Sequence, residues 1–251
     1  MPSTSDQYYP RIAVAALDIL GFSKLVEKGD ESLVAMDTIA KFVRNASSSR
    51  LYSDPILGGN DDYMFRASVY FGDSVYLFGD PMRELDDQVA GLCMRVATLL
   101  FAGLLEPRLL VRGAIAVGDL RIRSVQGDGE SHKIRIGTSM TRAHKLENAQ
   151  EWIGAAVDRR APRNDIANGW TACYEVPLKP NSKMRSPVAL NWIAVAVRLK
   201  LLGTFERLSI KLVVAKMRAQ SSPTPYGSYN GLSKRSVWPR LGNPKEEISA
   251  K

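Results

Sequence analysis

The alternation of short apolar runs with longer amphipathic stretches is the feature that most constrains the fold of this 251-residue chain. Short apolar runs predict strands, and stretches with apolar residues every three or four positions predict helices. The order strand, helix, strand, strand, helix, strand, strand, helix, strand predicts an α+β sandwich, with helices packed on a mostly antiparallel sheet. The predicted strands cover 11–17, 65–71, 74–79, 109–117, 120–125, 133–136 and 153–157, and the fourth has a predicted break at Arg112-Gly113. The predicted helices cover 25–43 and 84–105, and a third helix, capped by Thr138 or Ser139, runs to about residue 149.

Later residues give weaker patterns, and the charge is unevenly placed. Residues 189–197 are apolar and fit a strand or a short helix, and 201–218 fit a helix. Residues 1–157 have 17 Lys/Arg and 20 Asp/Glu, a net charge of −3, whereas 158–251 have 17 and 6, a net charge of +11. We therefore divide the chain into a polar N-terminal tail (1–10), a main domain (11–195) and a C-terminal helical and basic extension (196–251).

Composition excludes several classes of protein. At 45% hydrophobic and 24% charged residues the chain is globular, and no run of about 18 apolar residues is available to span a membrane. The N-terminus lacks the apolar core of a signal peptide, so a cytoplasmic protein is expected. Two cysteines are too few for a disulfide framework. No aromatic-rich or helix-turn-helix pattern supports nucleic acid as the main partner.

Two aspartates lie at the ends of apolar strand-like runs. Asp18 directly follows the run 12–17, and Asp73 lies between the runs 68–71 and 75–78. A carboxylate is costly inside a sheet unless a cation compensates it. Two of them beside glycines indicate a divalent-metal site for phosphate chemistry. The alternative is that Asp18 caps a helix and Asp73 is an ordinary turn residue.

The residues after the first aspartate extend this predicted site. The backbone N–H groups of Leu20, Gly21, Phe22 and Ser23 begin the first predicted helix. A helix N-terminus attracts anions, because its first N–H groups have no partners within the helix. A metal held beside these amides can therefore bind a nucleoside triphosphate.

Four stretches resemble the signature motifs of the class III nucleotidyl cyclases, in the correct order between residue 11 and about 157. They are Leu17-Asp-Ile-Leu-Gly-Phe-Ser23, Tyr70-Phe-Gly-Asp-Ser74, Leu110-Val-Arg-Gly-Ala-Ile-Ala-Val-Gly118 and Ile136-Gly-Thr-Ser-Met-Thr-Arg-Ala-His-Lys-Leu-Glu147. The last is similar to the family motif Gly-x-x-Val-Asn-x-Ala-Ala-Arg-Leu. The resemblance implies the cyclase sandwich, two Mn²⁺ or Mg²⁺ ions, and a homodimer with shared active sites.

The resemblance also implies roles for individual residues. Two carboxylates and one carbonyl would hold the metal ions, namely Asp18, Asp73 and the carbonyl of Ile19. Arg112 matches the family's triphosphate-binding arginine, with an ordinary ion pair as the alternative, and Lys179 or Lys183 is a second candidate phosphate ligand. Thr141 and Lys145 align with the transition-state asparagine and arginine, which come from the partner subunit. An exposed, solvated lysine is the alternative for Lys145, and Arg142 is a nearby alternative cation.

Two departures from the purine cyclases concern the base. Val69 stands where those enzymes have a lysine, and Ile134 stands where they have an aspartate. Without these hydrogen-bonding groups, adenine is not expected to be selected in the usual way. The base pocket would be apolar on Val69 and Ile134, and an aromatic ring would stack on a pyrimidine. Tyr52, Tyr70 and Phe71 are the candidates for that ring.

The combination resembles the pyrimidine cyclases of bacterial anti-phage (Pycsar) signalling. That resemblance implies conversion of UTP to cyclic UMP, or of CTP to cyclic CMP, with a separate protein as the downstream effector. Three alternatives stay open at this point. They are a purine cyclase with degenerate base readers, an inactive cyclase-like nucleotide-binding module, and a protein whose basic C-terminal third binds nucleic acid or anionic lipid.

Overall fold

A computed structural model gives the fold of most of residues 6–198. It describes residues 6–22, 65–71, 73–105, 110–127, 130–162, 169–182 and 187–198, together with positions 27, 37 and 40. The chain divides into a unit Met1–Val213 and a unit Val214–Lys251, and the second contains no described residue. Ser23, Tyr52, Lys183, most of the predicted helix 25–43 and the extension from 199 onward lie outside the described residues, although Glu27, Asp37 and Ala40 are helical as predicted.

The described strands form one mixed sheet. Its order is β2-β3-β1-β4-β6-β8-β7, and β5 pairs with the far end of β4. Only the β4–β6 pair among these is parallel, so the predicted, mostly antiparallel sheet is confirmed. The strands are β1 (Asp6–Ile19), β2 (Phe65–Phe71), β3 (Ser74–Gly79), β4 (Val111–Gly127), β5 (Glu130–Ile136), β6 (Gly154–Val157), β7 (Thr171–Glu175) and β8 (Val188–Leu190).

Helices cover this sheet, as their amphipathic sequences predict. The helices with described bounds are α1 (Leu85–Leu105), α2 (Thr138–Asn148) and α3 (Trp192–Arg198). Helix α2 packs through Ala143 on a cluster that includes Ile12, Val14 and Ala16 of β1. The alternate β1 residues 13, 15 and 17 are equally buried, so β1 is covered on both sides. None of the helices in the described part of the chain is long and apolar enough to cross a membrane.

Strands β1 and β4 are longer than predicted. β1 begins at Asp6, so residues 6–10, which we assigned to a polar tail, belong to a strand. They pair with the far end of β4, where Arg123 forms an ion pair with Asp6 at 2.6 Å. β4 is also continuous through Arg112 and Gly113, where a break was predicted. The missing side chain of Gly113 permits a close approach to Leu17 and Ala155 instead of interrupting the strand.

Two predicted boundaries differ from the structure. The stretch 189–197 contains both a strand end and a helix, and the predicted domain boundary after residue 195 falls inside α3. Helix α2 is preceded by Gly137 with no side-chain cap, although Thr138 or Ser139 was predicted to cap it. Both hydroxyls bind Asp119 instead: Thr138 contacts its carboxylate, and Ser139 donates to its carbonyl at 2.9 Å.

Substituting Gly137 with Ala is expected to lower the free energy of unfolding by about 3 kcal/mol, because the new Cβ would overlap the Asp119 carbonyl oxygen. Backbone lies on that side, so the overlap cannot be relieved by a rotamer change. Gly169→Ala is the matched control, since nothing lies within 4 Å of its Cβ position. Urea unfolding of the two variants checks this, and equal stabilities would contradict the packing of Gly137.

Candidate active site at the end of the central strands

The antiparallel pairing brings Asp18 and Asp73 to the same end of the sheet. Asp18 is the penultimate residue of β1 and lies opposite Ser74 of β3, the residue that follows Asp73. The backbone N–H of Ile19 donates to the carbonyl oxygen of Asp73 at 3.3 Å. The tight β2–β3 connection therefore places Asp73 beside the end of β1.

The electrostatics of this strand end favour a cation. The pKa of Asp18 is raised to about 6, first by burial and then by the negative charges of Glu147 and Asp73. Arg112 and the backbone N–H of Ile19 oppose that rise without cancelling it. Burial, and after it the excess of negative charge from Glu147 and Asp73, therefore disfavours the charged form of Asp18, and a bound cation would relieve this.

The oxygen donors at this site fit Mg²⁺ or Mn²⁺. Two carboxylates and the Ile19 carbonyl are hard ligands, and Mg²⁺ is commonly held by one or two carboxylates with substrate phosphates and water. Within the described ranges, no group of three or more His, Cys, Asp or Glu side chains is arranged to hold a metal.

Arg112 lies beside Asp18 and is held by three acceptors. Its Nη2 contacts Asp18 Oδ2 at 3.3 Å, its Nε donates to Glu147 Oε1 at 2.5 Å, and its Nη1 donates to the Gln150 carbonyl at 2.9 Å. The ion pair that we gave as the alternative for Arg112 is thus present. A guanidinium has five N–H donors, so after these three hydrogen bonds one N–H remains on each Nη of Arg112.

Glu147 and Gln150 are site residues that sequence reasoning missed. Both are buried, and both follow Ala143 and Leu146 on the apolar stripe of α2 and its C-terminal turn. An acid on a buried helix stripe needs a cationic partner, and β4 supplies Arg112. The place of Glu147 on the apolar stripe was the sequence signal for a buried acid. The sequence alone does not identify the cation that pairs with it.

Thr141 and Lys145 lie one turn apart on the exposed face of α2. Lys145 lies two residues before Glu147, so its side chain leaves the helix on nearly the opposite side. Thr141 Oγ1 is within 3.2 Å of the Gly137 carbonyl. Arg142 instead donates to the Val117 carbonyl at 2.9 Å. Within one chain, Glu147 reaches the Asp18 site and Lys145 points away from it.

The predicted phosphate-binding amides after Asp18 are partly engaged. The N–H of Leu20 donates to the Leu110 carbonyl at 2.8 Å, so this amide is used within the fold. Gly21 follows in the left-handed region with φ of +77°, a conformation that favours glycine. Phe22 is helical. The amides of Gly21 and Phe22 are the described part of the predicted anion site.

Lys179 lies in an exposed loop next to the end of α2. Its backbone N–H donates to the Ala149 carbonyl at 2.8 Å, and Gln150 forms an isolated bridge with Leu178. The loop is thereby fixed beside the residue whose carbonyl binds Arg112. Lys179 itself is exposed, and its role in phosphate binding stays a prediction.

The two predicted base-pocket positions lie in different rows of the sheet. Following the paired residues across the sheet from Val69 of β2, through β3 and β1, leads to Ala114 of β4. Ile134 pairs with Arg123, which is nine residues further along β4. The pairing register therefore does not place these two positions side by side. The side chain of Ile134 is 51% exposed on β5, the strand that leads into α2.

Comparisons with known proteins give similarity at the level of structure. No protein-family model matches the chain, and no curated protein matches its sequence. The adenylyl cyclase CyaB from P. aeruginosa superposes with a TM-score of 0.56 at 17% identity, over 74% of this chain and 95% of that one. The guanylate cyclase domain of RhGC from Catenaria anguillulae, in complex with GTP, gives 0.54 at 14% identity, over 73% and 97%.

A third similar structure is described as a non-canonical dimeric guanylyl cyclase domain, from the RhoGC fusion protein of the aquatic fungus Blastocladiella emersonii. It has a TM-score of 0.52 at 14% identity, over 75% of this chain and 98% of that one. These likenesses show that the chain has the fold of the class III nucleotidyl cyclases. They confirm the predicted fold class, because each superposition covers nearly the whole of the compared domain.

Proposed function

We propose that this protein is a metal-dependent nucleotidyl cyclase that converts a pyrimidine nucleoside triphosphate, UTP above all, to the cyclic mononucleotide and pyrophosphate. The observation that supports this most is the pairing of Asp18 and Asp73 at adjacent strand ends of a cyclase fold. Burial, followed by the negative charges of Glu147 and Asp73, raises the pKa of Asp18 to about 6. The similar structures named as adenylyl and guanylyl cyclases support the reaction class.

The proposed reaction is an intramolecular displacement at the α-phosphorus. The ribose 3′-oxygen forms a bond to this phosphorus as its proton is lost, and the bond to the β-phosphate oxygen breaks to release pyrophosphate. Two Mg²⁺ or Mn²⁺ ions held by Asp18, Asp73 and the Ile19 carbonyl would supply acidification of the 3′-hydroxyl and charge neutralisation. The amides of Gly21 and Phe22, which follow Asp18 in the chain, are proposed to bind phosphate oxygens.

Arg112 is the proposed ligand of the triphosphate within the same chain. Its hydrogen bonds to Asp18, Glu147 and Gln150 leave one N–H on each Nη for phosphate oxygens. A planar guanidinium binds phosphate through two parallel hydrogen bonds, which a lysine does not match. Lys179, exposed in the neighbouring loop, is the proposed second cation.

Thr141 and Lys145 are proposed to act in the site of a second copy. Both are exposed on α2, and Lys145 leaves the helix away from the Asp18 site of its own chain. A symmetric homodimer places each copy's α2 against the other's strand ends, so that two equivalent sites form. Lys145 would then stabilise the developing negative charge, and Thr141 would donate a hydrogen bond.

The pyrimidine preference is proposed from Val69 and Ile134. These positions have no hydrogen-bonding side chain with which to select a purine, and buried polar groups are what enforce such selection. Uracil is our first choice and cytosine the alternative. The product would serve as a cytoplasmic anti-phage messenger that a separate effector protein detects.

Incubation with each of the four ribonucleoside triphosphates and Mn²⁺, followed by mass spectrometry of the products, tests the proposal. Cyclic UMP as the main product is expected, and it should be absent with Asp73→Asn. Cyclic CMP would identify the alternative base. Cyclic AMP or cyclic GMP would refute the pyrimidine assignment. Nucleotide binding without any product would favour an inactive binding module, for which the replaced transition-state residues Thr141 and Lys145 are the specific argument.

A further inference from the structure

Glu147 is a buried acid whose shortest side-chain contact is with Arg112, the residue that also contacts Asp18. Its side chain is 4% exposed, and Oε1 accepts from Arg112 Nε at 2.5 Å. The exposed ring of His144 is 3.8 Å from its other oxygen. A carboxylate this deeply buried is costly unless it is paired, and helix α2 places it against the guanidinium of Arg112. Packing alone would be served as well by an apolar residue.

The contact with Glu147 restricts how Arg112 meets Asp18. An unrestrained arginine prefers to bind a carboxylate through two parallel hydrogen bonds, which would occupy both oxygens of Asp18. Because Nε donates to Glu147, the two-point grip that uses Nε is not available for Asp18, and in the structure Nη2 alone reaches Asp18, at Oδ2. The Oδ1 atom of Asp18 is not used by Arg112.

Gln150 makes this arrangement rigid. Its side-chain Nε2 donates to the carbonyls of Gly113 at 3.0 Å and Leu146 at 2.9 Å, and its Oε1 accepts from Trp152 Nε1 at 2.6 Å. The buried amide therefore fixes the end of α2 against β4 next to Arg112. The carbonyl that binds Arg112 belongs to this same immobilised residue.

We propose that Glu147 is a positioning residue: its carboxylate holds Arg112 in a one-point contact with Asp18, so that Arg112 does not occupy Asp18 Oδ1 and keeps its outer N–H groups for a triphosphate, while Oδ1 can contact a cation. The inference rests on the proposed function for the role of those ligands. The orientation of Arg112 itself does not depend on it. Glu147 touches neither substrate nor metal in this scheme and acts only through Arg112.

The direct test is the Arg112 Nε–H resonance in a ¹H–¹⁵N spectrum of the full chain, assigned by its loss in Arg112→Lys. We expect an exchange-protected resonance that disappears in Glu147→Ala and persists with a changed shift in Glu147→Gln, which keeps an acceptor oxygen. Glu151→Gln, an exposed acid four residues on, is the matched control and should leave it unchanged. If Glu147→Ala does not fold, an unshifted resonance in Glu147→Gln overturns the proposal.

Binding of inorganic tripolyphosphate in the presence of Mn²⁺, measured by calorimetry, gives the functional readout without turnover. Glu147→Ala is expected to weaken tripolyphosphate binding about tenfold, and Glu147→Gln to stay within about threefold of the original protein. Unchanged affinity in a folded Glu147→Ala protein would overturn the positioning role. An original protein with the Glu147-dependent resonance but no tripolyphosphate binding would instead refute the proposed function.

Discussion

Asp73→Asn is expected to reduce cyclic nucleotide formation at least about a thousandfold while the fold stays intact. Asp73 lies in the β2–β3 connection and is only half-buried, so its amide isostere changes little in the packing. The backbone carbonyl of Asp73, which accepts from Ile19, is also unaffected. Steady-state product formation beside a circular dichroism spectrum measures both effects, and near-normal activity would remove Asp73 from the proposed metal site.

Asp18→Asn should cause the same loss of turnover and should also stabilise the metal-free protein by about 3 kcal/mol at pH 8. The pKa of Asp18 is about 6 in the fold against 3.8 as its ordinary value, and its side chain is 21% exposed. Between pH 4 and 6 the folded protein binds this proton more tightly than the unfolded chain. The contribution of Asp18 to the free energy of unfolding therefore falls as the pH rises through that window. The stabilisation produced by Asp18→Asn grows over the same range.

Urea unfolding in EDTA at pH 4.5 and pH 8 measures that difference. Asp119→Asn is the opposite control, because hydrogen bonds from Thr138 lower the pKa of Asp119 and its replacement should not stabilise. Added Mn²⁺ should raise the melting temperature of the original protein and leave Asp18→Asn unchanged. A destabilised Asp18→Asn protein in EDTA would contradict the excess of negative charge at this strand end.

The elements that follow from local pattern were predictable from the sequence. The helix predicted over 84–105 is observed as Leu85–Leu105, and the hairpin around Asp73 has the predicted strand limits. Each depends on residues close in the chain. The approach of Asp18 and Asp73 depends in addition on the antiparallel pairing of β1 with β3, two strands that are not consecutive in the chain.

The parts that depend on distant contacts were not predictable. Asp6 is part of β1 through its pairing with Arg123, which lies 117 residues later. The local sequence around Gly113 predicts a break in the strand, whereas its close neighbours Leu17 and Ala155 come from other strands. The same holds for Glu147, whose cationic partner is 35 residues away. In each case a residue poorly suited to its local element is explained by a neighbour that the tertiary fold supplies.

Mixing Lys145→Ala with Asp73→Ala protein is expected to restore about one quarter of the original activity, although each variant alone should be at least about a hundredfold impaired. Random exchange makes half of the dimers mixed, and each mixed dimer has one complete site of two. That site takes Asp18, Asp73 and Arg112 from one copy and Thr141 and Lys145 from the other. The expectation follows from α2, where Glu147 and Lys145 leave the helix on nearly opposite sides.

Asp18→Ala mixed with Asp73→Ala is the matched control, because both defects fall in the same half of the site and every site keeps one of them. No recovery is expected there, whatever the extent of exchange. Native mass spectrometry confirms that mixed dimers form in both experiments. If mixed dimers of the first pair are present and inactive, Lys145 does not complete a site in another copy. Recovery only in the mixture of Lys145→Ala with Asp73→Ala would instead mean that the exposed face of α2 forms half of an active site. This would explain why Lys145 is directed away from the aspartates of its own chain.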